Sequence, residues 1–295
     1  MKYLNEVVCK DNLELLKELP SQSIDLVYID PPFFTQRNFK NKEGVGFDDK
    51  WDCKYHYIQW IQERVIEIER ILKDTGSIFL HCDWRTSHYM RFMLDDVFGE
   101  NNFVNEVIWS YLDVGMRNTN SYKKCHNSIH WYAKDKKRYK SNAIAKRPLS
   151  ESTLRVFKKH FDDNGQITFR RLEKTNPGHF AGLGKRIPKN LDTVCYDKNK
   201  GTNMTDVWVD IKPIRKKGQR KKFKEPLRYP TQKPESLLQR IIETVTFEGD
   251  TVADFFCGSG TTLAVAKRLG RKYIGCDSNP DAVKITRDRL SEILE

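Results

Sequence analysis

No run of about 18 apolar residues occurs in this chain, so no helix is expected to cross a membrane. The opening residues, Met1-Lys2-Tyr3-Leu4-Asn5-Glu6, lack the apolar segment of a secretory leader, and none is expected. Paired cysteines are missing too. Cys9, Cys53, Cys82, Cys125, Cys195, Cys257 and Cys276 are odd in number, and no two are spaced C-x-x-C. That speaks against a disulfide framework and against the common zinc spacings. Cys125, His126 and His130 lie close together, but a tetrahedral site needs more ligands, so no metal is expected. A reducing, cytoplasmic setting fits best. Internal repeats are also absent.

What is present suits a globular chain. Its 295 residues are 38% hydrophobic and 31% charged, too apolar for disorder. That length buries one sizeable core, or one core plus an appendage. The net charge of +12 is unevenly distributed. Residues 115–230 hold 30 Lys/Arg against 10 Asp/Glu, while the remainder holds 22 against 30. A basic middle on an otherwise acidic chain suits a polyanion such as nucleic acid.

Both ends of the chain alternate strand and helix. Ile24–Ile29 is a short apolar strand that must stop at Asp30-Pro31-Pro32, because successive prolines cannot continue a ladder. A polar loop is expected from Thr35 to about Lys54. Ile58, Ile61, Val65, Ile68 and Leu72 then mark one face of a long helix. Ser77–Leu80 reads as a strand, and a helix around Met90–Val97 follows. Phe103–Tyr111 and Ile129–Ala133 are strand-like. Residues 135–204 lack a long helical period, and Asp163-Asn164-Gly165 predicts a hairpin between Val156-Phe157 and Ile167–Phe169. Alternation returns with a helix after Pro234, a strand over Thr251–Phe256, helix Thr261–Leu269, strand Lys272–Cys276 and helix Pro280–Leu294. Such alternation predicts an α/β fold with a mostly parallel, doubly wound sheet.

Two motifs carry chemistry. In Asp254-Phe255-Phe256-Cys257-Gly258-Ser259-Gly260-Thr261-Thr262, a strand ends in a glycine loop that opens a helix. Asp277 ends the next strand, where a carboxylate can bind ribose hydroxyls. Leu263 replaces the third glycine of a dinucleotide fingerprint, which disfavours a nicotinamide oxidoreductase, and Thr261-Thr262 replaces the Lys-Ser/Thr of a phosphate loop. A smaller nucleoside ligand suits the loop better. In Asp30-Pro31-Pro32-Phe33, a carboxylate, a rigid carbonyl and an aromatic face meet at a strand's carboxyl end. That set matches an amino group on a flat ring: the amine donates to Asp30 and to the Pro31 carbonyl, and Phe33 stacks. His81-Cys82-Asp83-Trp84 falls at the same sheet edge, where loop packing is the expectation and a role near the cofactor the alternative. Trp109 and Tyr111 read as core or rim.

Taken in order, these motifs resemble the β-class, circularly permuted DNA amino-methyltransferases that use S-adenosyl-L-methionine. The Asp-Pro-Pro-Phe motif comes first, Phe-x-Gly-Ser-Gly-Thr-Thr comes last, and the basic segment lies between them. Asp11-Asn12-Leu13-Glu14 lies where that family has an acidic residue for the cofactor adenine, with Lys10 where Gly is usual. Thr231-Gln232-Lys233-Pro234 is similar to the segment that helps hold the cofactor, and Asp277 stands where many members have Glu.

The resemblance implies a Rossmann-like methyltransferase fold with an inserted target-recognition region. Residues 1–134 would form the catalytic part, 135–227 the recognition region, and 228–295 the cofactor part of the same domain. It implies transfer of a methyl group to the N6 amine of adenine in double-stranded DNA after base flipping. Asp30, Pro31, Pro32 and Phe33 would be catalytic. Asp11, Asp30, Lys233, Pro234, Asp254, Phe256, Gly258, Ser259, Gly260, Thr261, Thr262 and Asp277 would hold the cofactor. Lys212, Arg215, Lys216, Lys217, Arg220, Lys221, Lys222 and Lys224 would contact phosphates. Asp rather than Ser at the first motif position favours adenine over cytosine N4. Other readings are an RNA or protein-amide methyltransferase and a non-catalytic DNA-binding protein. A cognate restriction endonuclease is a candidate partner, and the oligomeric state stays open.

Overall fold

Every residue of strand Ile24–Ile29 is buried, which requires cover on both faces of the sheet. The sheet is seen in a computed structural model that describes residues 1–40, 46–111, 120–142, 146–147, 149–214 and 229–293. It has eight strands. From one edge they run Glu6–Cys9, Lys272–Asp277, Thr251–Asp254, Ile24–Ile29, Leu72–Cys82, His126–Ala133, Phe103–Ser110 and Val207–Trp208. Only His126–Ala133 runs against its neighbours. The α/β, mostly parallel architecture expected from the alternation is therefore present.

Chain order and strand order differ in one decisive way. Thr251–Asp254, from the end of the sequence, pairs directly with Ile24–Ile29, from its beginning. Because the two strands are parallel, their carboxyl ends emerge side by side. The motifs following each strand thus meet at one sheet edge.

Helices Asn12–Glu18, Lys54–Ile71 and Ser87–Phe98 pack on one another, and helices Glu235–Val245, Thr261–Arg268 and Pro280–Ser291 form a second group. The periodic residues Ile61, Val65 and Ile68 are fully buried, as their spacing requires. Among the described residues, no helix is long and apolar enough to cross a membrane.

Residues Ala143–Thr205 form a compact unit of their own, apart from the unit of Met1–Asn142 and Asp206–Glu295. The smaller unit corrects the predicted hairpin. Val156-Phe157 belongs to helix Glu151–Phe157, started by Ser150, whose Oγ accepts the Thr153 N–H at 3.1 Å. This cap, with Glu151 in the first turn, outweighs the single β-branched Val156. The turn itself exists, with Gly165 at φ 74°. Its strand, Gln166–Thr168, pairs instead with Val194–Asp197 further along the chain. Short helices Phe169–Thr175 and Pro177–Gly182 also fill this stretch.

A second correction concerns the loop after the proline motif. Arg37–Lys40 and Gly46–Asp49 form an antiparallel hairpin, with Phe39 and Phe47 stacked at 5.2 Å. The stack supplies the cross-strand contact that the polar composition concealed. Lys212 of the basic run is exposed. Arg215, Lys216, Lys217, Arg220, Lys221, Lys222 and Lys224 lie outside the described residues.

Candidate active site

Asp30 follows the last residue of its strand and stands at the carboxyl edge of the sheet. Its Oδ2 accepts a hydrogen bond from the Lys233 ammonium, and its Oδ1 is buried without a hydrogen-bond partner among the described residues. Burial pushes the Asp30 carboxyl above the usual carboxylate range, and the Lys233 charge pulls part of that rise back. Lys233 also lies over the Phe33 ring, 5.2 Å from its centroid. The Pro32 carbonyl is taken by the Tyr57 hydroxyl at 2.6 Å. That bond holds the dipeptide from below.

The residues after Pro32 are shaped by one side chain that the sequence reading missed. Asp49, fully buried, accepts the backbone N–H groups of Phe33, Phe34 and Thr35 at 3.2, 3.0 and 2.8 Å. It also accepts the Thr35 hydroxyl at 2.7 Å and the Trp51 indole N–H at 3.1 Å. Phe34 sits at φ 59°, a conformation non-glycine residues avoid, and the Asp49 cradle holds it there. Asp49 escaped detection because it lies in the stretch read as a polar loop.

The glycine loop is built around positive φ. Gly258 and Gly260 sit at 51° and 69°. A Cβ on Gly260 would come within 2.4 Å of Thr286 Cγ2, so no other residue fits there unstrained. Asp254 closes the loop from beneath, accepting the Thr262 hydroxyl at 2.5 Å and the Phe256 N–H at 3.0 Å. Burial pushes its carboxyl up to about 7. Asp277 accepts the N–H groups of Gly258 and Asn279, each at 2.9 Å and each on a different oxygen. Burial raises this carboxyl too.

Two arginines missed by the sequence reading tie the segments together. Arg289 bonds the Ser259 carbonyl, the Thr261 hydroxyl and Glu235, linking the glycine loop to the residue after Pro234. Arg64 bonds Asp11 and Asn12, and Asn12 Nδ2 donates to the Phe255 carbonyl at 2.9 Å. Both arginines are nearly buried, which long-range pairing permits and local sequence does not announce.

These segments line one cavity of about 450 Å³. Asp11, Asp30, Pro31, Pro32, Phe33 and Lys233 face it from one set of segments. Asp254, Phe256, Gly258, Ser259, Thr261, Thr262 and Asp277 face it from the other. Gly260 and Pro234 instead serve as the residues preceding helices Thr261–Arg268 and Glu235–Val245. His81, expected in loop packing, ends up fully buried with Nδ1 3.9 Å from Asp30 Oδ1.

A family model described as DNA methylase matches residues 24–288, from the strand before Asp30 to the last helix. The chain belongs to the DNA methylase family. This DNA methylase is 28% identical over 284 residues to the DNA adenine methyltransferase YhdJ of Escherichia coli, covering 96% of the chain and 82% of that protein. Among solved structures, it is similar to the PvuII DNA methyltransferase (cytosine-N4-specific), with a TM-score of 0.57 and 19% identity, over 98% of this chain and 86% of that one. It is also similar to the M1.HpyAVI–SAM complex, with a TM-score of 0.55 and 20% identity, over 97% and 98% of the two chains. The methylase fold is thus shared with proteins of low sequence identity.

Proposed function

We propose that this DNA methylase transfers a methyl group from S-adenosyl-L-methionine to the N6 amine of a flipped adenine in duplex DNA. The observation that carries the reading is the single cavity shared by Asp30-Pro31-Pro32-Phe33 and the Gly258 loop. Adenine is favoured by the Asp at the first motif position and by the likeness to YhdJ. The likeness to the PvuII enzyme favours cytosine N4 as the second reading.

The residues present fit the cofactor. Each Asp277 oxygen accepts one backbone N–H and keeps a lone pair for a ribose hydroxyl. Asp11, Asp30 and Asp254 make the cavity suitable for a cation. Gly258, Ser259, Thr261 and Thr262 give close approach and Phe256 and Lys233 support the walls, while Gly260 and Pro234 act through the helices they precede. When bound, the cofactor supplies an electrophilic methyl on a sulfonium.

The chain's own residues do the rest by placement. Asp30 and the Pro31 carbonyl accept the two amine protons and localise the nitrogen lone pair. Phe33 stacks on the base and offsets part of the few kcal/mol that unstacking costs. The amine nitrogen gains the methyl and gives up one proton, to Asp30 or to solvent.

Residues 135–227 would carry target recognition, with residues 1–134 and 228–295 forming the methyltransferase domain. Lys212, Arg215, Lys216, Lys217, Arg220, Lys221, Lys222 and Lys224 would contact phosphates, so affinity for DNA should fall steeply with added salt. The enzyme would work in the cytoplasm, and a cognate restriction endonuclease is a partner to seek. Sequencing that maps modified bases in DNA from cells expressing the protein tests the proposal. N6-methyladenine at one recurrent sequence is expected; unmodified DNA would refute it.

A further inference from the structure

A buried polar chain behind Asp30 has no role in the reading so far. The Tyr28 hydroxyl lies 2.8 Å from His81 Nδ1, and His81 Nε2 lies 2.8 Å from Asn127 Nδ2. The Tyr111 hydroxyl donates to Asn127 Oδ1 at 2.9 Å, which turns the amide nitrogen toward His81. Tyr28 is 1% exposed and His81 fully buried.

The donors and acceptors along it can be assigned in sequence. An amide nitrogen only donates, so His81 Nε2 accepts. Burial, together with the Lys233 charge, holds the imidazole well below its ordinary range, and it is neutral. A neutral imidazole that accepts at one nitrogen carries its proton on the other. Nδ1–H therefore donates to the Tyr28 oxygen. The Tyr28 proton is then directed away from His81, and Tyr28 lines the cavity. Asp30 Oδ1, the carboxylate oxygen without a partner among the described residues, lies 3.9 Å from the same His81 Nδ1. One wall of the site thus sets a hydrogen-bond donor beside an acceptor.

We propose that Tyr28 reads the target base, donating its hydroxyl proton to the ring nitrogen next to the amine that Asp30 accepts. The complement of this wall is an amidine edge, an N–H beside a bare ring nitrogen. Adenine presents it with N6 and N1, cytosine with N4 and N3. His81, Asn127 and Tyr111 are positioning residues that aim the Tyr28 proton. The inference rests on the proposed methyl transfer.

The test uses the full chain and duplexes carrying the mapped site, with the target adenine kept or replaced by 1-deazaadenine or 7-deazaadenine. Wild type should lose about tenfold in kcat/KM on 1-deazaadenine, the size of one hydrogen bond, and little on 7-deazaadenine. Tyr28→Phe should lose about tenfold on adenine and show no further loss on 1-deazaadenine, with cofactor affinity unchanged and a lower melting temperature because the buried His81 Nδ1–H loses its acceptor. Asn127→Asp should match the Tyr28→Phe loss, because a carboxylate accepts from Nε2 and turns Nδ1 into an acceptor for the Tyr28 proton. If the mapped base is cytosine, 3-deazacytosine replaces 1-deazaadenine. Equal efficiency of wild type on adenine and 1-deazaadenine overturns the inference while leaving methyl transfer standing. So does a Tyr28→Phe variant as sensitive to the missing nitrogen as wild type. No methylation of any duplex by wild type would instead sink the underlying reading, and this one with it.

Discussion

The Lys233 ammonium bonds Asp30 Oδ2 although 203 positions separate the two residues. One motif follows strand Ile24–Ile29 and the other immediately precedes helix Glu235–Val245. Their contact joins the two halves of the site and places a cation beside the carboxylate proposed to accept the amine. Lys233 lowers the Asp30 carboxyl against the rise caused by burial.

Removing that cation should therefore move activity along the pH axis. Asp30 must be ionised to accept the amine protons, so activity falls as pH drops through its value. In Lys233→Met the carboxyl rises further, and the acid limb of kcat/KM should shift to higher pH. A pH–rate series on both proteins checks this. An unmoved acid limb would separate Lys233 from the chemistry.

Asp30→Ala should lower methyl transfer by about 100-fold or more, because the amine loses its main acceptor and its placement. Cofactor affinity, measured by calorimetry, should fall far less than turnover, because Asp11, Asp254 and Asp277 still line the cavity. Near-normal turnover would remove Asp30 from the catalytic role.

Asp49→Ala should damage the site through the loop that this carboxylate holds. Three backbone amides of residues 33–35 lose a carboxylate acceptor, and hydrogen bonds to a charged group contribute about 1.5–3 kcal/mol each. Urea unfolding should show a loss of at least about 2 kcal/mol, together with a lower kcat. A variant as stable as wild type would show that the loop holds itself.

Asp254 makes stability depend on pH. Its folded value of about 7 lies above the unfolded value of about 3.9. A group raised on folding stabilises the folded state fully below its unfolded value, and that contribution disappears as pH rises through the folded one. Asp254→Asn cannot ionise. Its melting temperature relative to wild type should therefore climb between about pH 4 and pH 7. A constant difference across that window would contradict the assignment.

Gly260→Ala and Gly99→Ala offer an internal comparison. Both glycines have positive φ, but a Cβ at 260 meets Thr286 at 2.4 Å while one at 99 meets nothing within 4 Å. Gly99→Ala, at φ 84° and ψ 137°, should show only a backbone cost of about 1–3 kcal/mol. Gly260→Ala should lose more stability and weaken cofactor binding. Equal losses in thermal unfolding would mean that Thr286 yields freely.

Much of the site was readable in the order of residues. Strand Ile24–Ile29 ends at Asp30 because two prolines forbid its continuation, and Gly258 and Gly260 mark a left-handed turn that residues with a Cβ disfavour. Both signals are local, carried by backbone preferences within a few residues. Asp49, His81 and Arg289 carried no such signal. Each acts on partners well removed in sequence, and a buried polar residue looks the same in a sequence whether it braces a site or caps a loop. The hairpin predicted around Gly165 failed for the same reason: the turn is local, but the choice of strand partner is not.

Local chemistry thus determined the alternating strands and helices, the stop at Asp30, the left-handed glycines and the basic character of the middle segment. Only the tertiary structure decided that strand Thr251–Asp254 lies beside Ile24–Ile29, because parallel pairing between distant segments depends on burying both against common helices. That pairing brings two loops from opposite ends of the chain to one sheet edge, sets Lys233 against Asp30, and leaves Tyr28, His81 and Asn127 linked beneath them.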